Sequence, residues 1–260
     1  MKFNDRDELT KWTLVSKYLW LFLDYDGTLA EFAPTPDHIE PDPQIFQLLE
    51  ELAASPRIRV TVLSGRRLEH IQRLLPASGV FLAGTYGVEM QTPKGRVIHR
   101  VEYGEIRPVL DEIEPQWADL IRERGGFYLE DKGWTLALHA RFADSNEAEQ
   151  VLTEGHQVLE RVSPGSHFQI VEGYKFLEIA PRLANKGEAV AYLLERYPLQ
   201  DMHLLYIGDD DRDEEAFPVI QAHGGVAIKV IQHSQTAPQT SANFCFESPK
   251  ETLDWLRGLV

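Results

Sequence analysis

Residues 21–30 read LFLDYDGTLA, an apolar run that ends in two aspartates one residue apart. A short apolar run cut off by acidic residues and glycine is typical of a β-strand buried on both faces of a sheet. Asp24 and Asp26 repel each other, and a carboxylate is costly to remove from water. Either the pair lies in a solvated turn, where Asp and Gly are common, or a cation or a reaction requires both carboxylates.

The same apolar pattern recurs along the chain and alternates with patterns of helical spacing. Further strands are predicted at IRVTVLSGR (58–66), VFLAGTYGVEM (80–90), HLLYIGDD (203–210) and GVAIKV (225–230). Helices are predicted at DPQIFQLLEELAAS (42–55), RRLEHIQRLLP (66–76), NKGEAVAYLLERY (185–197) and DEEAFPVIQAHG (213–224). This alternation predicts an α/β fold with a Rossmann-like parallel sheet built from right-handed βαβ units.

The middle of the chain has a different pattern. Between residues 104 and 177 a helical stretch precedes two strands, and the same helix-strand-strand order then repeats. Short turns such as DKG and EGY between the paired strands indicate antiparallel hairpins. We therefore expect an α+β (αββαββ) cap domain at 104–177, inserted into a core formed by residues 1–103 and 178–260.

Composition narrows the classes of function. The chain has 260 residues, 43% of them hydrophobic and 26% charged, and a formal net charge of −15. This acidity argues against a nucleic-acid partner, which would require clustered Lys and Arg. Cys245 is the single cysteine, so an internal disulfide and a Cys-rich zinc site are excluded. No apolar run has the length of a signal peptide or membrane span, and we expect a cytoplasmic monomer without a membrane partner.

Polar residues follow three of the predicted strands. They are Asp24 with Asp26, Ser64 in LSGR, and Asp209 in YIGDD. Ligands of open parallel sheets bind beyond the carboxyl ends of the strands, so these side chains are expected to lie together. Carboxylate oxygens suit Mg²⁺, and an aspartate can also be a covalent nucleophile that forms an aspartyl-phosphate.

Simpler interpretations exist for each of these strings. The acids in Asp209–Glu215 could be the solvated start of a helix, and Ser64 could be an ordinary N-cap. Lys186 in ANKGEAV opens a predicted helix, where a cation is unfavourable unless an anion lies in front of it. A calcium loop of the EF-hand type is excluded, because neither aspartate string has Gly at position 6 and Glu at position 12.

Taken in order, DYDGT, LSGR, NKG and GDD resemble the four motifs of the haloacid dehalogenase-like phosphatases. The resemblance implies that Asp24 attacks phosphorus and that Asp26 is the general acid and base. Ser64 and Lys186 would hold the phosphoryl oxygens. Mg²⁺ would be bound by Asp24, the main-chain carbonyl of Asp26, and Asp209. Two further acids would support the metal from nearby, Asp210 and Asp213.

A closer resemblance, to the trehalose-6-phosphate phosphatase subfamily, extends over nearly the whole chain. It rests on LFLDYDGTLAEFAPTPD, LSGRR, EDKGWTLALHAR, FLEIAPRLANKGEAV and YIGDDDRDEEAF. It implies that an inserted cap reads the sugar. The implied substrate contacts are Gly65, Arg66, Glu130, Lys132, His139, Arg141 and Glu178. Glu130 and Lys132 could instead be a surface hairpin pair, His139 a structural histidine, and Glu178 a solvated side chain.

Two positions depart from the subfamily pattern. Tyr86 stands where His is usual in GxHGxE, and Arg212 stands where Thr is usual in GDDxTDE. Neither belongs to the four core motifs. The expected activity is therefore Mg²⁺-dependent hydrolysis of a sugar phosphate, trehalose 6-phosphate in the first place. The alternatives are another sugar or glycosyl phosphate, such as a sucrose- or glucosylglycerate-phosphate-like substrate, a phosphomutase, and a non-catalytic binding relative.

Overall fold

The computed structural model describes residues 5–31, 40–231 and 240–260. Strands are numbered β1–β12 and helices α1–α8 along the chain. The chain forms two compact units: Met1–Ile98 together with Asn185–Val260, and His99–Ala184. The second unit is thus inserted into the sequence of the first, and each is described separately.

The first unit contains an eight-stranded sheet in the order β12-β11-β10-β1-β2-β3-β4-β5. Its strands are β1 (Tyr18–Asp24), β2 (Ile58–Leu63), β3 (Phe81–Gly84), β4 (Glu89–Gln91), β5 (Val97–His99), β10 (Met202–Gly208), β11 (Val226–Val230) and β12 (Phe244–Phe246). The pairs from β12 to β3 are parallel, and β4 pairs antiparallel with β3. The central strand β1 lies between β10 and β2, so strands from both ends of the sequence flank it.

The first unit also contains helices. They are α1 (Arg6–Val15), α2 (Pro43–Ala54), α3 (Leu68–Leu74), α6 (Lys186–Arg196), α7 (Phe217–Ala222) and α8 (Pro249–Arg257). Among the described residues of both units, no helix is long and apolar enough to cross a membrane.

The central strand β1 is buried on both faces, as the apolar run at residues 21–30 predicted. In β1 the alternate residues Leu21 and Leu23 belong to one hydrophobic cluster, whereas Trp20 and Phe22 belong to another. All four side chains are completely inaccessible to solvent. Because successive side chains of a strand point to opposite faces, β1 forms the middle layer between the two clusters.

The second unit contains two helices and a four-stranded antiparallel sheet in the order β6-β7-β9-β8. Its elements are α4 (Tyr103–Ile121), β6 (Tyr128–Asp131), β7 (Leu136–His139), α5 (Ser145–Val162), β8 (Phe168–Gly173) and β9 (Phe176–Pro181). The indole N–H of Trp117 on α4 donates to the carbonyl of Gly155 on α5 at 3.0 Å, which joins the two helices in the interior. The predicted α/β core with an inserted αββαββ unit is confirmed.

Three details differ from the sequence prediction. The predicted strand at 80–90 is two antiparallel strands, β3 and β4, because the residues between them have positive φ and reverse the chain. The helix predicted at 213–224 begins only at Phe217. The second unit also extends beyond the predicted boundaries 104 and 177, since β9 pairs with β8 as far as Pro181.

Because β1 is buried, truncating one of its side chains should lower the free energy of unfolding. Replacing Leu21, which is inaccessible to solvent, by Ala leaves a cavity in the sheet core and should lower the free energy of unfolding by about 2–5 kcal/mol. The matched change Leu14→Ala, at a side chain that is 55% exposed, should alter it by no more than about 0.5 kcal/mol. Urea unfolding followed by circular dichroism measures both, and equal effects of the two changes would contradict this account of the core.

Candidate active site

The strand ends bring the predicted catalytic residues to one edge of the sheet. Asp24 is the last residue of β1, Ser64 follows β2, and Asp209 follows β10. In the parallel register Asp24 lies opposite Leu63, the last residue of β2, and the end of β1 lies beside the end of β10. The convergence expected from the sequence is therefore present.

Lys186 reaches this edge from the first position of α6. Its Nζ lies 2.6 Å from Asp24 Oδ1 and 2.6 Å from Asp213 Oδ1, and its side chain is only 1% exposed. Burial opposes the charged ammonium, but the carboxylates of Asp210, Asp213 and Asp24 outweigh it and raise the pKa of Lys186 well above its usual range. The anion expected in front of this helix is thus an aspartate pair of the protein itself.

Three buried carboxylates form a candidate metal centre. One oxygen each of Asp24, Asp209 and Asp213 lies within 4.8 Å of the others. Within the described residues, the buried Asp24 Oδ2 has no hydrogen-bond partner. A buried carboxylate oxygen without a partner is costly, and a hard divalent cation would satisfy it. The residues present therefore fit a metal ion.

Asp213 accepts more hydrogen bonds within the site than its position in the sequence suggested. Its Oδ1 accepts from Lys186 Nζ and, at 2.7 Å, from the hydroxyl of Tyr206, while its Oδ2 accepts the N–H groups of Asp209 and Asp210 at 3.0 Å. This approach depends on Gly208, because a Cβ there would lie 2.2 Å from Asp213 Cγ. Both oxygens of Asp213 thus accept hydrogen bonds, and these bonds fix the loop of residues 209–215 after β10. We refer to this segment as the acidic loop.

The concentration of acids shifts their pKa values. Burial raises the pKa of Asp24 well above its usual range, against the effect of Lys186 and together with that of Asp209. Burial, followed by repulsion from Asp213 and Asp210, raises the pKa of Asp209 to about 7. Burial raises the pKa of Asp213 as well. All three shifts are upward because burial and mutual repulsion disfavour the charged carboxylates.

Asp26 lies beside the cluster and is held by Arg66. The guanidinium Nε and Nη2 donate to the two carboxylate oxygens of Asp26, each at 2.7 Å. Arg66 was predicted as a substrate contact, and its geometry gives it a further role as the partner of Asp26. The hydroxyl of Ser64, which is buried, accepts the N–H of Arg66 at 3.1 Å.

A second polar cluster lies in the second unit. Residues that face each other in an antiparallel pair share one side of the sheet, so the register places Glu130, His139 and Glu178 on the same face. Glu130 Oε2 lies 3.0 Å from His139 Nε2 and 3.6 Å from Lys132 Nζ. Lys132 Nζ also donates to Glu178 Oε1 at 3.2 Å, and Thr135 donates to the same oxygen at 2.7 Å. We refer to these five residues as the cap cluster.

The cap cluster excludes one of the alternatives left by the sequence. Glu178 is completely buried, so it is not a solvated side chain, and Lys132 is only 8% exposed. Burial opposes the charged form of Glu130, but hydrogen bonding to His139 and attraction to Lys132 outweigh it and lower the pKa of Glu130. Arg141 is exposed, with its guanidinium 5.9 Å from the ring of Phe142, and its role in substrate binding stays a prediction.

Sequence reasoning missed several residues of both clusters. Tyr206 and Thr135 gave no signal, because their partners Asp213 and Glu178 are fixed only by the folded chain. Lys229 did give one, since a lysine inside the apolar strand GVAIKV requires a buried partner. Its Nζ donates to the carbonyl of Asp210 at 2.9 Å, which ties β11 to the acidic loop.

Comparison with known proteins agrees with this geometry. The trehalose-phosphatase family model matches residues 22–250. A probable trehalose-phosphate phosphatase of Sinorhizobium fredii is 33% identical over 215 residues, 81% of this chain and 77% of the relative. Trehalose-6-phosphate phosphatase of Escherichia coli is 33% identical over 217 residues, 84% of this chain and 79% of the relative.

The fold is also shared with a solved structure. The C-terminal domain of Candida albicans trehalose-6-phosphate phosphatase superposes with a TM-score of 0.81 at 20% identity, covering 99% of this chain and 97% of that one. At this identity the likeness concerns the fold alone. Together with the family match and the 33% identical relatives, the clustered motif residues lead to one conclusion: the chain belongs to the trehalose-phosphatase family and is a phosphoric monoester hydrolase.

Proposed function

We propose that this phosphatase hydrolyses trehalose 6-phosphate to trehalose and inorganic phosphate, with Mg²⁺ as its metal. The observation that carries the proposal is the buried Asp24: Lys186 donates to its Oδ1, no described residue donates to its Oδ2, and one of its oxygens lies within 4.8 Å of an oxygen of Asp209. The substrate is taken from the names of the relatives, and the chemistry from the site.

The residues divide the reaction into two steps. A carboxylate oxygen of Asp24 forms a bond to phosphorus while the bond from phosphorus to the sugar oxygen breaks, and Asp26 gives its proton to that oxygen. Asp26 then takes a proton from the water that attacks the aspartyl-phosphate, which releases phosphate and restores Asp24. In the structure Arg66 donates to both oxygens of Asp26 and so fixes the orientation of its carboxyl group.

Phosphoryl transfer requires positive charge that neutralises the phosphoryl oxygens, and an acidic site must therefore supply cations. Lys186 and the Ser64 loop would hold the phosphoryl oxygens. Asp24, Asp209 and the main-chain carbonyl of Asp26 would hold Mg²⁺, with Asp210 and Asp213 in support. When bound, Mg²⁺ neutralises and orients the phosphoryl oxygens.

The cap cluster supplies groups of the kind that recognise sugar hydroxyls. Charged donors and acceptors held in a buried network discriminate well, because a ligand lacking the matching hydroxyl leaves one of them unpaired. We propose that Glu130, Lys132, His139 and Glu178 contact the sugar, with Gly65 and Arg66 contributing on the core unit. A non-catalytic role is disfavoured because Asp24, Lys186 and Asp209 are present and clustered.

A panel of sugar phosphates tests the substrate. Phosphate release from trehalose 6-phosphate should exceed release from glucose 6-phosphate and sucrose 6-phosphate by at least about 100-fold in kcat/KM, on the order of 3 kcal/mol of discrimination. A preference for another sugar phosphate would overturn the substrate but leave the phosphatase intact. Recovery of the phosphoryl group on a second sugar position, without free phosphate, would indicate a phosphomutase.

Asp24→Asn tests the nucleophile in the same assay. The amide cannot form an aspartyl-phosphate, so kcat should fall by at least about 10³-fold. The fold should survive, because Lys186 keeps its contact with Asp213. Circular dichroism and the melting temperature provide the control. Turnover within tenfold of the unsubstituted enzyme would refute the assignment of Asp24.

Glu130→Gln tests the cap cluster. Loss of the charge should raise KM for trehalose 6-phosphate about tenfold, equal to about 1.4 kcal/mol, and leave hydrolysis of p-nitrophenyl phosphate unchanged because that ester has no sugar. Asp131→Asn is the matched control, since Asp131 is adjacent in β6 but pairs with Arg107. An equal effect of both changes, or a loss with both substrates, would remove Glu130 from sugar recognition.

The raised pKa of Asp209 predicts how metal binding depends on pH. In the metal-free protein this carboxyl is neutral below about pH 7, whereas in the unfolded chain it ionises near 3.8. The folded state therefore binds the extra proton between these values, and its stability falls as pH rises through this window. Mg²⁺ must displace that proton, so its binding should tighten as pH increases.

Melting curves with and without excess Mg²⁺ measure this effect. The stabilisation by Mg²⁺ should be small at pH 5.5 and should grow up to pH 8. Asp209→Asn should abolish both the stabilisation and its pH dependence, whereas Glu195→Gln, an exposed acid at the other end of α6, should preserve them. A stabilisation that is independent of pH would show that Asp209 is already ionised in the metal-free protein.

A further inference from the structure

The loop after β3 is braced against the loop that carries Ser64. Thr85 and Tyr86 have φ values of 48° and 54°, in the left-handed region that non-glycine residues rarely adopt. The N–H of Tyr86 donates to the carbonyl of Ser64 at 2.9 Å, and the N–H of Thr85 donates to the carbonyl of Arg66 at 2.7 Å. Strained backbone of this kind persists where the surroundings fix it, and it is concentrated at functional sites.

The strained backbone directs the side chain of Tyr86 over the same loop. A Cβ built on Gly65 would lie 2.8 Å from the Tyr86 ring, so the aromatic ring covers the Cα of Gly65 directly. The guanidinium carbon of Arg212, in the acidic loop after β10, lies 4.6 Å from the centroid of this ring. An arginine over an aromatic face at this distance is a cation–π contact.

Arg212 continues the connection to the start of α6. Its Nη1 donates to Glu215 Oε1 at 3.1 Å, and Glu215 Oε2 accepts the main-chain N–H of Lys186, also at 3.1 Å. The loop of Ser64 is therefore connected to Lys186, which binds Asp24, by a series of direct contacts. The series runs through Tyr86, Arg212 and Glu215. All of these residues belong to the first unit.

We propose that Tyr86 and Arg212 are positioning residues, which hold the Ser64–Arg66 loop in register with Lys186 and Asp209. Neither is assigned a contact with the reacting atoms. The inference rests on the proposed function, because only a phosphatase reaction requires both loops to bind the same phosphoryl group. Phosphoryl transfer depends on placing its donors, and a displacement of about 1 Å can cost about 10²-fold in rate. The pair is expected to act on kcat through the alignment of the two loops.

A double-mutant cycle tests the proposal. Tyr86→Ala and Arg212→Met should each lower kcat for phosphate release by about 10- to 100-fold, since either removes the cation–π contact between Tyr86 and Arg212. The double variant should lose no more than the more damaging single change, because both abolish the same contact. Tyr86→Phe and Arg212→Lys retain the ring and the cation, and each should keep kcat within about threefold of the unsubstituted enzyme.

Arg59→Met provides a matched control. The guanidinium of Arg59, at the start of β2, lies 4.4 Å from the ring centroid of Trp20. This variant therefore loses a contact of the same kind at the opposite end of the strand from Ser64. Its kcat should be unchanged. Multiplicative losses in the double variant, unchanged kcat in the single variants, or an equal loss in Arg59→Met would overturn the proposal. Arg212→Met decides the question alone if Tyr86→Ala does not fold.

The design separates this inference from the proposed function. A wrong substrate shows in the unsubstituted enzyme, and the cycle is then measured with the best substrate of the panel. If no ester is hydrolysed, calorimetric binding of inorganic phosphate in the presence of Mg²⁺ replaces kcat. Both single variants should then weaken phosphate binding, again without additivity. Unaltered phosphate affinity in Arg212→Met would refute the positioning role even in that case.

Discussion

The ammonium group of Lys186, buried among the carboxylates of Asp24, Asp210 and Asp213, is the interaction on which the site depends. Removing a lysine from water costs several kcal/mol, and the surrounding carboxylates compensate this cost. The contact therefore joins the end of β1, the start of α6 and the acidic loop after β10 in one arrangement. One lysine cannot balance every acid of the cluster, and the excess negative charge is what prepares the site for a divalent cation.

The sequence predicted the parts of this arrangement that depend on strand ends. Asp24, Ser64 and Asp209 each follow an apolar run, and parallel strands deliver such residues to the same edge. The paired roles of Asp213 and Tyr206 were not predictable, because a hydrogen bond between side chains seven residues apart depends on how the loop turns. The burial of Glu178 was likewise hidden, since an acid between Leu177 and Ile179 in an alternating strand has the same pattern whether its face is solvated or covered.

The two departures from the subfamily pattern acquire a physical meaning in the fold. Tyr86 and Arg212 lie 126 positions apart by number, and their side chains contact each other. In the sequence they are two separate departures from the subfamily pattern, both outside the four core motifs. In the fold the two residues form one contact, which joins the loop after β3 to the loop after β10. The four core motifs are unchanged.

The pairing of β1 with β10 has a consequence for the order in which the chain folds. Tyr18 lies opposite Met202, whereas every strand pair of the second unit joins residues within His99–Ala184. During synthesis the inserted unit has all its partners before the central strand of the core acquires its second neighbour. Contacts so distant in sequence form slowly because the intervening chain must first be closed into a loop. We therefore expect the phosphatase centre to be completed after the unit that lies inside its sequence.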